Sequence, residues 1–143
     1  MYRIRLVMMA GLIFGIMVSL LGCHNEDHHI NGMSSRVFYE EYLHLLEDSN
    51  VVIIDGRTAE MFAGGHLKNA VNIDADGPDL SEKLKLYADQ PMIVVYCTTN
   101  RRTSKIVQTL SDFYEGEILY IEDGIRGWKR NGFPVSGKFV SDN

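Results

Sequence analysis

Two cysteines in 143 residues cannot build a disulfide framework, and these two stand in unrelated surroundings. Positive charge is also short. Fourteen Lys and Arg face nineteen Asp and Glu, the net charge is −5, and no basic run or stripe occurs. Nucleic acid is therefore not an expected partner. No repeat, heptad or low-complexity segment is visible, which sets aside solenoids and coiled coils. Long apolar runs are absent except for one at the N-terminus. What remains is ordinary in amount: 45% apolar and 23% charged residues, in a length that suits one globular domain.

The N-terminal run is a separate object. In "MYRIRLVMMAGLIFGIMVSLLGC", Arg3 and Arg5 precede an uncharged stretch from Leu6 to Gly22, and Cys23 follows. A basic region followed by an apolar one is a secretory signal. The stretch lies at the short limit for a spanning helix. Its ending, "LLGC", resembles the lipobox of bacterial lipoproteins, which implies cleavage after residue 22 and acylation of Cys23. Residues 1–22 are thus expected to be a removed signal peptide, which takes away two basic residues and no acid. The protein is then expected outside the cytoplasmic membrane, lipid-anchored on the periplasmic side or the cell surface, with an envelope protein as a candidate partner. Residues 23–35 read as the lipidated cysteine and a polar tether. The tether's His24, His28 and His29 have no second cluster with which to hold a metal.

From residue 36 the pattern changes. Short apolar runs, "VVIID", "AVNID", "MIVVYC" and "EILYIED", alternate with stretches of helical spacing. Phe38, Tyr42, Leu45 and Leu46 share one such face, and Leu80, Leu84 and Tyr87 another. Thr58 is a helix N-cap candidate ahead of a stop at Gly64-Gly65, and a further helix is expected from Thr103 to about Gly116. This alternation predicts an α/β fold, a parallel sheet of four to five short strands with helices on both faces, over residues 36–137, with 138–143 as a short tail. Ligands of such sheets bind beyond the carboxyl ends of the strands. Two polar clusters fall there, Asp55-Gly56-Arg57 and Cys97 to Arg102.

Cys97 ends an apolar strand and precedes a helix. Backbone amides at a helix N-terminus converge on a point, and the macrodipole adds positive charge there. A cysteine so placed is suited to act as a thiolate nucleophile. Arg101, Arg102 and Lys105 add donors for an anion. With Cys23 acylated, Cys97 has no disulfide partner in the chain.

Three stretches in order resemble the rhodanese family of sulfurtransferase domains. "VVIIDGRTAEMFAGGHLKNAVNI" is similar to its first signature, "VVYCTTNRRTS" to its active-site loop, and "DGIRGWKRNGFPV" to its closing signature. The resemblance spans about Phe38 to Val135. It implies that Cys97 takes sulfane sulfur from thiosulfate, polysulfide or a persulfide and passes it to a thiol or cyanide acceptor. Thr98, Thr99, Asn100, Arg101, Arg102 and Thr103 would form the substrate-binding loop, and no metal or organic cofactor is implied. Related phosphatases and arsenate reductases carry one more residue between Cys and Arg. The four residues here favour sulfur. A non-catalytic sulfur carrier or docking module in the envelope is the alternative.

Two departures stand out. Asn100 occupies a loop position where the family often has Gly, and the expectation is that Asn tolerates a left-handed turn there. Lys68-Asn69 replaces the family's Pro-Gly. Of the supporting residues, Asp55 is expected to accept from the loop or from Arg102. Arg57 is expected to reach substrate or to pair with Glu60 or the loop. His66 and Trp128 read as structural.

Overall fold

A computed structural model describes residues 30–98 and 100–137. Residues 1–22, read from the sequence as a signal peptide, Cys23, the histidines of the expected tether, Thr99 and residues 138–143 lie outside the described residues. Five parallel strands run in the order β1-β5-β4-β2-β3. They are β1 (Ile30–Met33), β2 (Val51–Asp55), β3 (Val71–Asn72), β4 (Met92–Tyr96) and β5 (Glu117–Ile121). The helices are α1 (Ser35–Tyr42), α2 (Ala59–Ala63), α3 (Leu80–Lys85), α4 (Asn100–Ser111) and α5 (Gly124–Arg130).

Alternation along each strand explains the unbroken apolar runs, because both faces of the sheet are covered. Val94 and Tyr96 of β4 face one cluster with Phe38, Ile125 and Trp128, from α1 and α5. Ile93 and Val95 face the other, with Leu80 and Leu84 from α3 and Ile106 and Leu110 from α4. The expected helical face Phe38, Tyr42, Leu45 and Leu46 does pack inward, but α1 ends at Tyr42 and a 3-10 turn over Leu43–Glu47 carries the two leucines. Thr58 caps α2 as expected, its hydroxyl accepting from the Met61 amide at 3.3 Å. Trp128 is buried, and its indole donates to the Pro134 carbonyl at 2.7 Å, so it belongs to the core. His66 stacks on Phe62, and its amide donates to the Ser136 carbonyl at 2.8 Å, a structural role.

Ordered structure begins earlier than residue 36. Ile30–Met33, read from the sequence as tether, forms β1 and pairs in parallel with β5 from Ile30↔Ile118 to Met33↔Ile121. Ser35, also assigned to the tether, is fully buried. Its amide and hydroxyl donate to the two oxygens of Asp123 at 2.6 and 2.8 Å, tying the entry of α1 to the entry of α5. A domain cut at Ser34 would lose the edge strand. Among the described residues, no helix is long and apolar enough to cross a membrane.

Candidate active site

β2, β4 and β5 end on one rim, and that rim assembles the site. Cys97 follows β4 directly and is 1% exposed, so its thiol lies on the floor of the rim rather than on its lip. Its neighbours are held by backbone contacts. The Cys97 carbonyl accepts from the Ile125 amide at 2.8 Å, which joins the β4 tip to the start of α5. Gly124 sits against that carbonyl at φ +55°; a Cβ there would collide with it, so only glycine suits the position. On the other side, the Gly56 amide donates to the Tyr96 carbonyl at 2.8 Å. A Cβ on Gly56 would stand 2.6 Å from Ile106 and 3.7 Å from the Cys97 Cβ. The cysteine is thus packed between two glycines from the adjoining strand ends.

α4 begins at Asn100, three residues before the expected start, so Asn100, Arg101 and Arg102 form its first turn. Asn100 needs no left-handed backbone. Among the described residues, the non-glycine residue with positive φ is Asn69, at 58°, and its side-chain amide donates to the Leu46 carbonyl at 2.7 Å. Asn therefore stands in for glycine at the Lys68-Asn69 turn and not in the cysteine loop. The first turn of α4 separates the two arginines. Arg101 is exposed. Arg102 is half-buried, and its Nε donates to Asp76 at 2.8 Å. The Asp76 hydrogen bond raises the Arg102 guanidinium above its ordinary range, and the neighbouring Cys97 acts in the same direction. Of the two, Arg102 is the arginine fixed across to the β3–α3 connection. Two buried hydroxyls, Thr98 Oγ1 and Thr103 Oγ1, have no hydrogen-bond partner among the described residues. Unpaired buried donors are rare, and here both belong to the loop and helix start that follow Cys97.

Asp55 and Arg57 support this rim by pairing with each other, and both expected pairings, with Arg102 and with Glu60, are replaced. Arg57 Nε donates to both Asp55 oxygens at 2.9 and 3.1 Å, and Nη2 donates to Oδ2 at 2.6 Å. The same Nη2 reaches the Gly65 carbonyl at 2.7 Å. Asp55 is 0% and Arg57 3% exposed, while Glu60 is exposed. Two residues apart at a strand end, the side chains lie on the same side, which sets up the fork. Burial opposes the Arg57 charge, but the Asp55 hydrogen bonds and charge outweigh it and raise the guanidinium above its ordinary range. Tyr96 closes the region. Its hydroxyl accepts from the Leu67 amide at 3.0 Å, and burial pushes the phenol well above its ordinary pKa. Both side chains are held in this buried pair.

Asp76, which the sequence did not single out, completes the rim. It lies in the β3–α3 connection. That loop is fixed by the Ala75 amide donating to the Gly56 carbonyl at 3.1 Å and the Asp76 amide donating to Asp74 Oδ1 at 2.9 Å. Besides Arg102, the Asp76 carboxylate meets Lys105 Nζ at 3.5 Å. The available signal was topological: the loop leaves the carboxyl end of β3, beside that of β2.

Comparison with known proteins agrees with this geometry. The rhodanese-like domain family matches residues 38–131. A tRNA uridine(34) hydroxylase from Buchnera aphidicola is 30% identical over 133 residues, covering 82% of this chain and 40% of the relative. The chain therefore spans well under half the length of that curated relative. A rhodanese-related protein from Thermoplasma volcanium superposes with a TM-score of 0.61 at 25% identity, over 76% of this chain and 99% of that one. A thiosulfate sulfurtransferase from Pseudomonas aeruginosa shares the fold, with a TM-score of 0.61 at 16% identity over 76% of this chain and 20% of its own.

Proposed function

The chain belongs to the rhodanese-like domain family, and from that membership we propose that it moves sulfane sulfur through a persulfide on Cys97. The observation that supports this reading is that Cys97 directly follows the β4 tip, with two unpaired buried hydroxyls, Thr98 and Thr103, in the loop and helix start that come next. The Cys97 thiolate attacks the terminal sulfur of a donor. The donor's S–S bond breaks, and its electron pair leaves with sulfite or with the donor thiolate. One new S–S bond forms on Cys97, and there is no net oxidation. An acceptor thiolate or cyanide then attacks the outer sulfur, and Cys97 leaves as the thiolate. The Arg102 charge and the Thr98 and Thr103 hydroxyls are the side-chain donors available to the anionic sulfur.

Mass spectrometry after incubation with thiosulfate tests the reading. A gain of one sulfur on Cys97 is expected, and cyanide should remove it as thiocyanate. Steady turnover distinguishes an enzyme from a carrier, which would load once. No gain of sulfur from thiosulfate, polysulfide or a small persulfide would refute the reading.

The two arginines should differ. Arg102→Ala removes a charge-assisted donor, an interaction of about 1.5–3 kcal/mol. The expected loss in transfer from an anionic donor is about ten- to a hundredfold. Arg101→Ala, at an exposed position, should lose much less, and its loss should shrink in salt. Thiosulfate turnover of the two variants makes the comparison, and a larger loss for Arg101→Ala would reverse the assignment.

We also propose that Cys23 carries lipid and anchors the domain outside the cytoplasmic membrane. Several acyl chains on one cysteine anchor stably, whereas one does not. Cys23→Ala should accumulate as uncleaved precursor without acyl label, and palmitate incorporation equal to the parent would remove the proposal.

A further inference from the structure

Asp76 presents a carboxylate to the two cations nearest the mouth of the site. Oδ2 accepts from Arg102 Nε at 2.8 Å and Oδ1 lies 3.5 Å from Lys105 Nζ. Both cations come from the first turns of α4, while Asp76 comes from the opposite wall, in a loop pinned at Ala75 and braced by Asp74. The arrangement contributes little to stability. The side chains of Asp76, Arg102 and Lys105 are 45%, 27% and 52% exposed, and such pairs are weak. Its consequence is electrostatic. A donor approaching Cys97 meets two positive groups and one fixed negative group, and Arg101, also in the first turn of α4, is exposed. Of the two cations, Arg102 is held by the shorter contact, a direct hydrogen bond.

We propose that Asp76 is a specificity-determining residue that sets the charge of the donor the site accepts. Its carboxylate offsets Arg102 and Lys105 at the mouth and so disfavours small dianionic donors such as thiosulfate, relative to donors whose sulfur end carries one charge or none. The preferred class is an organic persulfide, in which one sulfur is presented on a carbon-bound chain. The depth of Cys97, 1% exposed, agrees with this, because a slender terminal sulfur reaches the floor while the rest of the donor stays at the rim. The claim about donors rests on the sulfur-transfer reading; the claim about charge does not.

The experiment separates the two. Cys97 is alkylated with iodoacetate, an anion, and with iodoacetamide, which is neutral and nearly the same size. In Asp76→Asn the iodoacetate-to-iodoacetamide rate ratio should rise about three- to tenfold at low ionic strength, and the rise should shrink as salt is added. A role limited to holding Arg102 in place would leave the ratio unchanged or lower it, because a displaced Arg102 attracts the anion less, and either result overturns the proposal. Asp79→Asn is the control. Asp79 lies in the same connection but pairs with Lys83 at 3.1 Å, so its loss should not change the ratio. A change equal to that of Asp76→Asn would make the effect one of net charge alone and would likewise overturn it. The second arm compares kcat/KM for thiosulfate and for cysteamine persulfide. Asp76→Asn should improve thiosulfate relative to cysteamine persulfide by a similar factor, and an unchanged preference overturns the donor assignment. If neither donor loads Cys97 in any form of the protein, the sulfur-transfer reading fails while the alkylation ratio still decides the charge claim.

Discussion

Cys97→Ser is expected to abolish persulfide formation while leaving the domain folded. The two parts have different causes. A serine hydroxyl stays protonated at neutral pH and is a poor nucleophile toward sulfur, so no sulfur-loaded species should appear in the mass spectrum after thiosulfate treatment. The scaffold does not depend on the thiol. The Cys97 carbonyl still accepts from Ile125, and Gly56 still bonds to the Tyr96 carbonyl. A buried hydroxyl without a partner costs about 1–3 kcal/mol, which falls within the roughly 5–15 kcal/mol stability of an ordinary domain. The variant should therefore keep its far-ultraviolet circular dichroism spectrum and a cooperative melt. Sulfur transfer at the parent rate in this variant would end the Cys97 mechanism.

The largest effect on stability is expected from Asp55→Ala. It leaves Arg57 3% exposed with its charge unanswered, apart from the single bond to the Gly65 carbonyl. Breaking a buried pair by removing one partner costs about 3–5 kcal/mol, far more than the pair contributes relative to two apolar residues. For a domain of this size that is a fall in melting midpoint of roughly 10–20 °C. Removing both charges together, as Asp55→Asn with Arg57→Gln, should recover part of the loss, because no naked charge remains. By contrast, Asp76→Asn should change the midpoint very little, since its pairs are exposed. Denaturant unfolding of the four proteins measures this order. Asp55→Ala within about 1 kcal/mol of the parent, well short of the expected cost, would mean that Arg57 finds another partner or water.

The same two contrasts show what could be read from the chain. β2, β4 and β5 were legible because strands buried on both faces appear as continuous Val and Ile runs. β1 was not. "INGM" is short and polar at its centre, and it is a strand only because the edge of β5, far away in sequence, offers it hydrogen bonds. The start of α4 was missed for a related reason: Asn100, Arg101 and Arg102 have no apolar face, so helical periodicity becomes visible only at Thr103 and Ile106. The position of Cys97 was plain, because the apolar run of β4 stops at it and polar residues follow. Its electrostatic surroundings were not, because partner choice depends on which loops meet. Asp55 turned to Arg57, two residues away, and Arg102 turned to Asp76, which comes from another connection altogether.

The pairing of β1 with β5 has a consequence for when the domain can close. Ile30 must find Ile118, and Ser35 must find Asp123, a sequence separation of 88 residues. Contacts of that span carry a high loop-closure cost and form late. While the chain is being made, the first strand and first helix have no native partner until most of the domain has emerged. The N-terminal edge of the sheet therefore closes only after β5 and the start of α5 are available, which makes it a late step in the order of assembly.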